Sequence, residues 1–594
     1  MMNFNVLKFF ILLIGLVTLF NFQTSKSEAN TLTTLTMDED IRMRIHGVGP
    51  FDTIETKGEL KTKRLKFVNV FDSNNFFIKE SNNESINLPN GSYNIFDITE
   101  QGDNTNHDNL TPGSWVTVNN GTVTPANILF NYYTVTFYED ISTNSILSQS
   151  NVLAGNNISE PTAPSKDMYS FAGWVDKNGK PFNFNNRIYH ATEVYAKWNE
   201  LGKETLVWKI GDTIPHPTKG MVIPKYYRIP SVIVSARGTL IAAADMRYDT
   251  PNDNLGQIAI GVKRSEDGGQ TWSETTIAVP MPLENNQPTS ARARSMDTTI
   301  LSAEDGNIYI LAGAWKSNST NWAATTTKTP DPDWAAYLVK SEDDGVTWEM
   351  VKKWDASNIN ELSTDPIVAF LGGVGSAIQM EDGTLVFPID ICLTNGTKNS
   401  VKATILYSKD NGQTWKLGNG YVDDVSENNV IETSHGTLLM NGRKDGSSSR
   451  AVYYSDDLGD TWKQHVLDKK ITVRNPQTQG SFIKIELENG EEVALFSTPK
   501  NTSGTYERDN ITLWATYDYM TWRELGTLYA PKGNPDGAGY SGLAGGLDEN
   551  GEGYLYFIYE KDGNIAFRDI SAYLTMINKQ STNYINSNIS EKVN

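Results

Sequence analysis

One short pattern places a carboxylate at fixed spacing four times along the chain. Ser-x-Asp-x-Gly-x-Thr-Trp stands at Ser265–Trp272, Ser341–Trp348, Ser408–Trp415 and Ser455–Trp462, and a degenerate fifth copy runs from Thr516 to Trp522. Repeated aspartates could hold a metal or a substrate, but each of these has a turn to hold. The carboxylate accepts backbone N–H groups across the loop, the glycine supplies a positive φ, and the tryptophan packs beneath. The first copy shares a few residues with a calcium loop and lacks the other ligands. The histidines (His46, His107, His190, His216, His435, His465) are scattered, with no His-Glu-x-x-His or other zinc spacing. A phosphate-binding Walker loop, a dinucleotide glycine fingerprint and a Gly-x-Ser-x-Gly elbow are all missing, so no cofactor is expected. Cys392, the single cysteine, cannot form an internal disulfide and sits in a stretch that alternates like a strand. A net charge of -20 argues against non-specific nucleic-acid binding and makes any arginine cluster a local exception.

The elements that must position such groups read as β throughout: short alternating runs separated by Gly, Asn and Asp turns. Each aspartate turn follows an apolar strand, as in Ile-Ala-Ile-Gly-Val-Lys-Arg before Ser265. The intervals between turns are long enough for one four-stranded sheet apiece, a radial arrangement of the β-propeller kind. With 594 residues the chain has room for several domains. Residues 1–29 read as a signal peptide, with Lys8, an apolar run from Phe9 to Phe20, and small residues at Ser27 and Ala29. The run is short for a membrane span, and an uncleaved anchor is the alternative. Residues 30–129 read as a small β domain of unknown role, with strands around Leu65–Phe71, Gly91–Ile98 and Ser114–Val118; Lys61–Arg64 reads as a solvated face. Residues 130–200 form a second unit, 205–575 the repeat-bearing one, and 576–594 a polar tail.

Two resemblances follow from these motifs. Residues 132–198, with Phe171-Ala172-Gly173-Trp174 and Tyr195-Ala196-Lys197-Trp198, resemble the β-grasp-like repeat of internalin B and many bacterial surface proteins. That implies a spacer or adhesion module, its aromatics serving as core. The four aspartate turns resemble the Asp boxes of sialidases, and Arg228-Ile229-Pro230 matches the Arg-Ile-Pro signature of bacterial members, with further matches in order as far as Glu560. The fold implied is all-β, a six-bladed β-propeller preceded by small β-rich and β-grasp-like domains. Asp boxes also occur in propellers of other activity, so the site has to carry the function.

The resemblance implies a role for each matched residue. Arg228, Arg443 and Arg508 would clamp the sialic acid carboxylate, which planar guanidinium groups grip in a bidentate way, and Glu560 would orient Arg228. An aspartate or glutamate attacking the anomeric carbon would meet that carboxylate as one anion meets another. Sialidases, a known exception to the two-carboxylate rule, use a tyrosine instead, here Tyr540 with Glu427 as its base. Asp253 would be the acid, with Asp249 as rival; Arg247 would contact substrate, and Asp297 would bind sugar polar groups. A turn role is the alternative for these last residues. The expected activity is that of a secreted, retaining exo-α-sialidase acting on sialylated glycoproteins, glycolipids or oligosaccharides, free or at the cell surface. The alternatives are a trans-sialidase, with Trp315, Trp322 or Trp334 as acceptor-site aromatics, and a sialic-acid-binding lectin or adhesin displayed through residues 130–200.

Overall fold

The structure is a computed structural model. It describes residues 132–594 apart from 144, 154–155, 167, 318–329, 435, 445, 474–477, 501–507, 509, 531–538 and 594, together with strand backbones between Thr33 and Leu129. The leader expected at 1–29, the Lys61–Lys63 run and Trp322 lie outside the described residues. Two compact units divide the chain: Met1–Pro161 with Trp174–Tyr195, and Thr162–Gly173 with Ala196–Asn594.

In the first unit the three runs read as strands are strands, at Arg64–Asn69, Gly91–Asp97 and Ser114–Asn119. Further along, Tyr132–Tyr138 pairs antiparallel with Ile146–Leu153 and parallel with Thr192–Glu200. The alternation of Tyr-Tyr-Thr-Val-Thr-Phe-Tyr turns Val135 and Phe137 inward, where the Phe137 ring meets Trp174 edge-on at 4.9 Å.

The second unit is a succession of antiparallel arrays. The first comprises Tyr226–Val234, Leu240–Arg247, Ile258–Ser265 and Thr276–Val279. The second comprises Arg294–Ser302, Ile308–Trp315, Trp334–Ser341 and Glu349–Asp355. The third is built on Ile367–Gly372, Leu385–Thr394 and Asn399–Ser408, the fourth on Asn428–Ser434, Thr437–Gly442 and Ala451–Ser455, and the fifth on Ser481–Glu486, Glu492–Pro499 and Ile511–Thr516. The last joins Ser541–Leu547, Gly553–Lys561 and Asn564–Asp569 to Thr205–Trp208, so the unit's early and late strands share one sheet. In most neighbouring arrays the first strands lie side by side, while Asn428–Ser434 lies against Leu385–Thr394 of the third. Apolar clusters fill the spaces between faces: Ile241, Val262, Ile310 and Val339 join the first array to the second, and Leu311, Leu338, Phe370 and Phe387 the second to the third. Burial on both faces explains why strands such as Leu240–Arg247 are buried at every position.

All four full aspartate motifs are turns. Asp267 accepts the Thr271 N–H at 2.9 Å and its hydroxyl at 2.6 Å, while Ser265 Oγ accepts the Gly269 N–H at 2.9 Å. Asp343, Asp410 and Asp457 repeat the pattern. In the degenerate copy the loop is a residue shorter, and Tyr519 takes the positive φ, 51°. Beyond the last array, where only a polar tail was expected, a helix spans Leu574–Val593. Met576 and Ile577 are buried at its start, so its anchorage comes from tertiary packing that a polar stretch scarcely advertises.

Candidate active site

The chain enters the first array through Tyr226–Val234, whose register slips between Arg228 and Ser231 around Ile229, at φ 59°. A β-branched residue in the left-handed region needs support from its surroundings. Glu560, 1% exposed on Gly553–Lys561, supplies it: its Oε1 accepts the Ile229 N–H at 3.0 Å and Arg228 Nε at 3.1 Å. Its Oε2 accepts the Tyr540 N–H at 3.3 Å. One carboxylate therefore ties an arginine, the bulge that aims it, and the tyrosine at the start of the neighbouring strand Ser541–Leu547.

The second array opens in the same way. Arg294–Ser302 slips between Met296 and Thr299, with Asp297 at φ 61°. Here Asp245 Oδ1 accepts the Asp297 N–H at 3.2 Å, and Asp245 Oδ2 accepts Arg247 Nη2 at 2.8 Å. Arg247 Nη1 reaches forward to both the Pro251 carbonyl and Asp253. Asp253 also lies 3.5 Å from Arg228 Nη1, and its side chain is 52% exposed.

Tyr540 stands immediately before Ser541–Leu547, and Glu427 immediately before Asn428–Ser434. The Tyr540 hydroxyl donates to Glu427 Oε1, while Arg443 Nη1 donates to Glu427 Oε2 at 2.8 Å and to the Tyr540 oxygen at 3.1 Å. The guanidinium carbons of Arg228 and Arg508 lie 5.3 and 5.5 Å from the centre of the Tyr540 ring. The ring itself packs against Ile229 and Val374. A cleft of about 290 Å³ is lined by Arg228, Asp253, Asp297, Glu427, Arg443, Arg508 and Tyr540, with Met296, Leu371 and Val401 as apolar wall and Asp390 as a further carboxylate.

Environment sets the protonation states. Burial and then the Glu427 charge push the Tyr540 phenol well above its ordinary value, against the pull of Arg443, Arg508 and Arg228, so it stands neutral. Burial alone would raise Glu427, but the Arg443 charge and the bonds from Tyr540 and Arg443 outweigh it and hold the carboxyl low. In the same way Arg247 and Arg228 overcome burial at Asp253 and depress it. Asp297 goes the other way: burial, with Asp245, Asp253 and Glu427 nearby, lifts it well above the carboxylate range. Asp245 is raised to about 6, chiefly by burial.

Most residues singled out in the sequence thus converge, with Glu560 behind the cleft as expected of an orienting group. Three expectations need correction. Arg247, expected to contact substrate, has a fully buried side chain, because its head is consumed by Asp245, Pro251 and Asp253; it stands behind the cleft wall. Asp249, the rival acid, turns instead to the Gln257 N–H at 3.0 Å and does not line the cleft. Trp315 and Trp334 are 4% and 0% exposed, Trp334 donating to the Phe370 carbonyl at 2.8 Å, so neither offers a sugar platform. Sequence reasoning missed Asp245 and Asp390, charged positions inside largely apolar strands that are buried almost throughout; that incongruity was the available signal.

A family model described as a BNR repeat-like domain matches residues 229–560, and one described as the Listeria-Bacteroides repeat domain matches 133–197. A sialidase of Paraclostridium sordellii is 39% identical over 361 residues, 59% of this chain and 86% of that protein. A sialidase of Clostridium perfringens is 39% identical over 366 residues, 60% of this chain and 91% of that one. Among solved structures, Trypanosoma rangeli sialidase in complex with 2,3-difluorosialic acid, described as a covalent intermediate, aligns with a TM-score of 0.53 at 28% identity. That alignment covers 63% of this chain and 59% of the other, less than two thirds of the trypanosomal protein.

Proposed function

The chain belongs to the sialidase family, and from that premise we propose that it is a retaining exo-α-sialidase whose antiparallel arrays are the six blades of a β-propeller. The single observation that carries this reading is the Tyr540 hydroxyl, bonded to Glu427 and Arg443 in a cleft that also holds Arg228 and Arg508. Arg228, Arg443 and Arg508 bind the sialic acid carboxylate. That carboxylate would repel an attacking aspartate or glutamate, whereas a neutral phenol approaches without the penalty. The Tyr540 oxygen bonds to the anomeric carbon as Glu427 takes its proton, and Asp253 protonates the glycosidic oxygen as its bond to that carbon breaks. Water then attacks the sugar–tyrosine bond, Asp253 accepting its proton and Glu427 returning one to the departing tyrosine. Two displacements at one carbon leave its configuration retained.

Arg247 and Arg228 hold Asp253 low, yet the first step needs it protonated. A bound sialic acid carboxylate offsets the Arg228 charge 3.5 Å from Asp253 and excludes water, and both effects raise its proton affinity. Substrates are sialylated glycoproteins, glycolipids or oligosaccharides, and export through residues 1–29 belongs to the same proposal. Incubation with a generic sialoside, with and without an acceptor sugar, tests the function. Free sialic acid is expected in both cases; transferred sialic acid would mean a trans-sialidase, and binding without products a lectin.

A further inference from the structure

Glu560 and Asp245 do the same thing in neighbouring parts of the cleft. Each is a buried carboxylate that grips one arginine and, with its other bond, caps the N–H of a left-handed residue in a bulged first strand. We propose that Asp245 is the positioning residue of the acid: it fixes Arg247, which holds Asp253 and the loop before it, and the same carboxylate fixes Asp297 in the cleft wall. Asp245 is fully buried and does not line the cleft, so it acts without touching substrate.

The chain of contacts is continuous. Asp245 sets the Arg247 fork, the fork bonds Pro251 and Asp253, and the far side of the loop is tied by Arg294 Nη2 to Asn254 at 3.2 Å. Two buried arginines thus clamp the loop, at Pro251 and Asp253 and again at Asn254, and only Arg247 is oriented by Asp245. Electrostatics run along the same line. Asp253 faces Arg247 and Arg228 most closely, with Arg508 also acting on it; Asp245, Asp297 and Arg294 complete its charged surroundings. Removing the Asp245 charge leaves Arg247 less compensated, which draws Asp253 further toward its ionised form and misplaces it for proton donation.

This inference rests on the reading of Asp253 as the acid, and leaving-group dependence separates the two. Wild-type protein should cleave both an unactivated sialyl-oligosaccharide and an aryl sialoside whose phenol departs without a proton; failure on both defeats the reading of the cleft itself. Asp245→Asn keeps an oxygen for the Asp297 N–H, removes the charge and puts an NH2 donor where Oδ2 accepts Arg247 Nη2. It is expected to lower kcat on the oligosaccharide at least tenfold more than on the aryl sialoside. The alkaline limb of the oligosaccharide pH profile should also move to lower pH, since Asp253 ionises sooner. Asp245→Glu, which restores the charge on a longer arm, should recover the wild-type limb in part. Equal losses on both substrates with an unmoved limb would mean a merely structural residue and overturn the proposal. Should Asp245→Asn not fold, Arg247→Lys carries the same test, because it breaks the fork that Asp245 orients. An equal loss on the two substrates there also counts against it.

Discussion

The Tyr540 phenol stands between Glu427, the anion proposed to take its proton, and three arginines that would attract negative charge developing on its oxygen. The proton stays on oxygen, because burial and Glu427 together outweigh the arginines. In the proposed mechanism the arginines have two duties, substrate grip and nucleophile tuning, and a lysine can share only part of either. Arg508→Lys keeps the charge and loses the fork. We expect it to weaken binding of a sialic acid analogue by about 2–5 kcal/mol, read by calorimetry, with unchanged affinity placing Arg508 outside the site. These residues were legible from motif and order alone, since 26 tyrosines offer no other way to choose one. Asp245 was not, because its work lies in contacts between strands that a linear reading cannot bring together.

Elements place these groups by a common device: the first strands begin at the cleft, and the aspartate turns close the far ends of the third strands. Such turns are local chemistry, which is why they could be read from eight residues at a time. Gly269 shows how tightly one is held. It has φ 85°, and a Cβ there would lie 2.0 Å from the Phe567 ring of the sheet that contains Thr205–Trp208. Gly436, at φ 82°, faces open space. Gly436→Ala should cost about 1–2 kcal/mol for the left-handed backbone alone, and Gly269→Ala about 1–3 kcal/mol more for overpacking. Denaturant melts of the two variants measure the difference; equal costs would mean that the Phe567 contact yields freely. The helix at Leu574–Val593 escaped notice for the opposite reason, its buried contacts being few and distant in sequence.

At the scale of the molecule, the acidic chain keeps two raised carboxyls together, Asp245 buried beneath its cleft and Asp297 in the cleft wall. A carboxyl raised by folding gives its full contribution to stability below its unfolded value, and that contribution is lost as pH rises through the folded one. Both losses begin at the ordinary carboxylate value; for Asp245 the loss is complete once pH passes about 6, and for Asp297 it continues well above the carboxylate range. Asp297→Asn tolerates the left-handed backbone and cannot ionise. Its melting temperature relative to wild type should therefore rise between pH 4.5 and pH 7.5. A difference that stays constant with pH would show that Asp297 titrates normally. The nearly all-β character was legible from periodicity and turn spacing. The pairing of Thr205–Trp208 with Asn564–Asp569 was not, because no local signal links strands so far apart.

Covalent trapping identifies the nucleophile. A fluorinated sialic acid that forms the intermediate quickly and loses it slowly should add one sugar mass to the protein. Peptide mapping should place that mass on Tyr540. Tyr540→Phe should stay unlabelled and lose turnover by orders of magnitude, while a sialic acid analogue still raises its melting temperature through the remaining arginines. A label on Glu427, Asp253 or any other carboxylate, or an active Tyr540→Phe, would contradict the account.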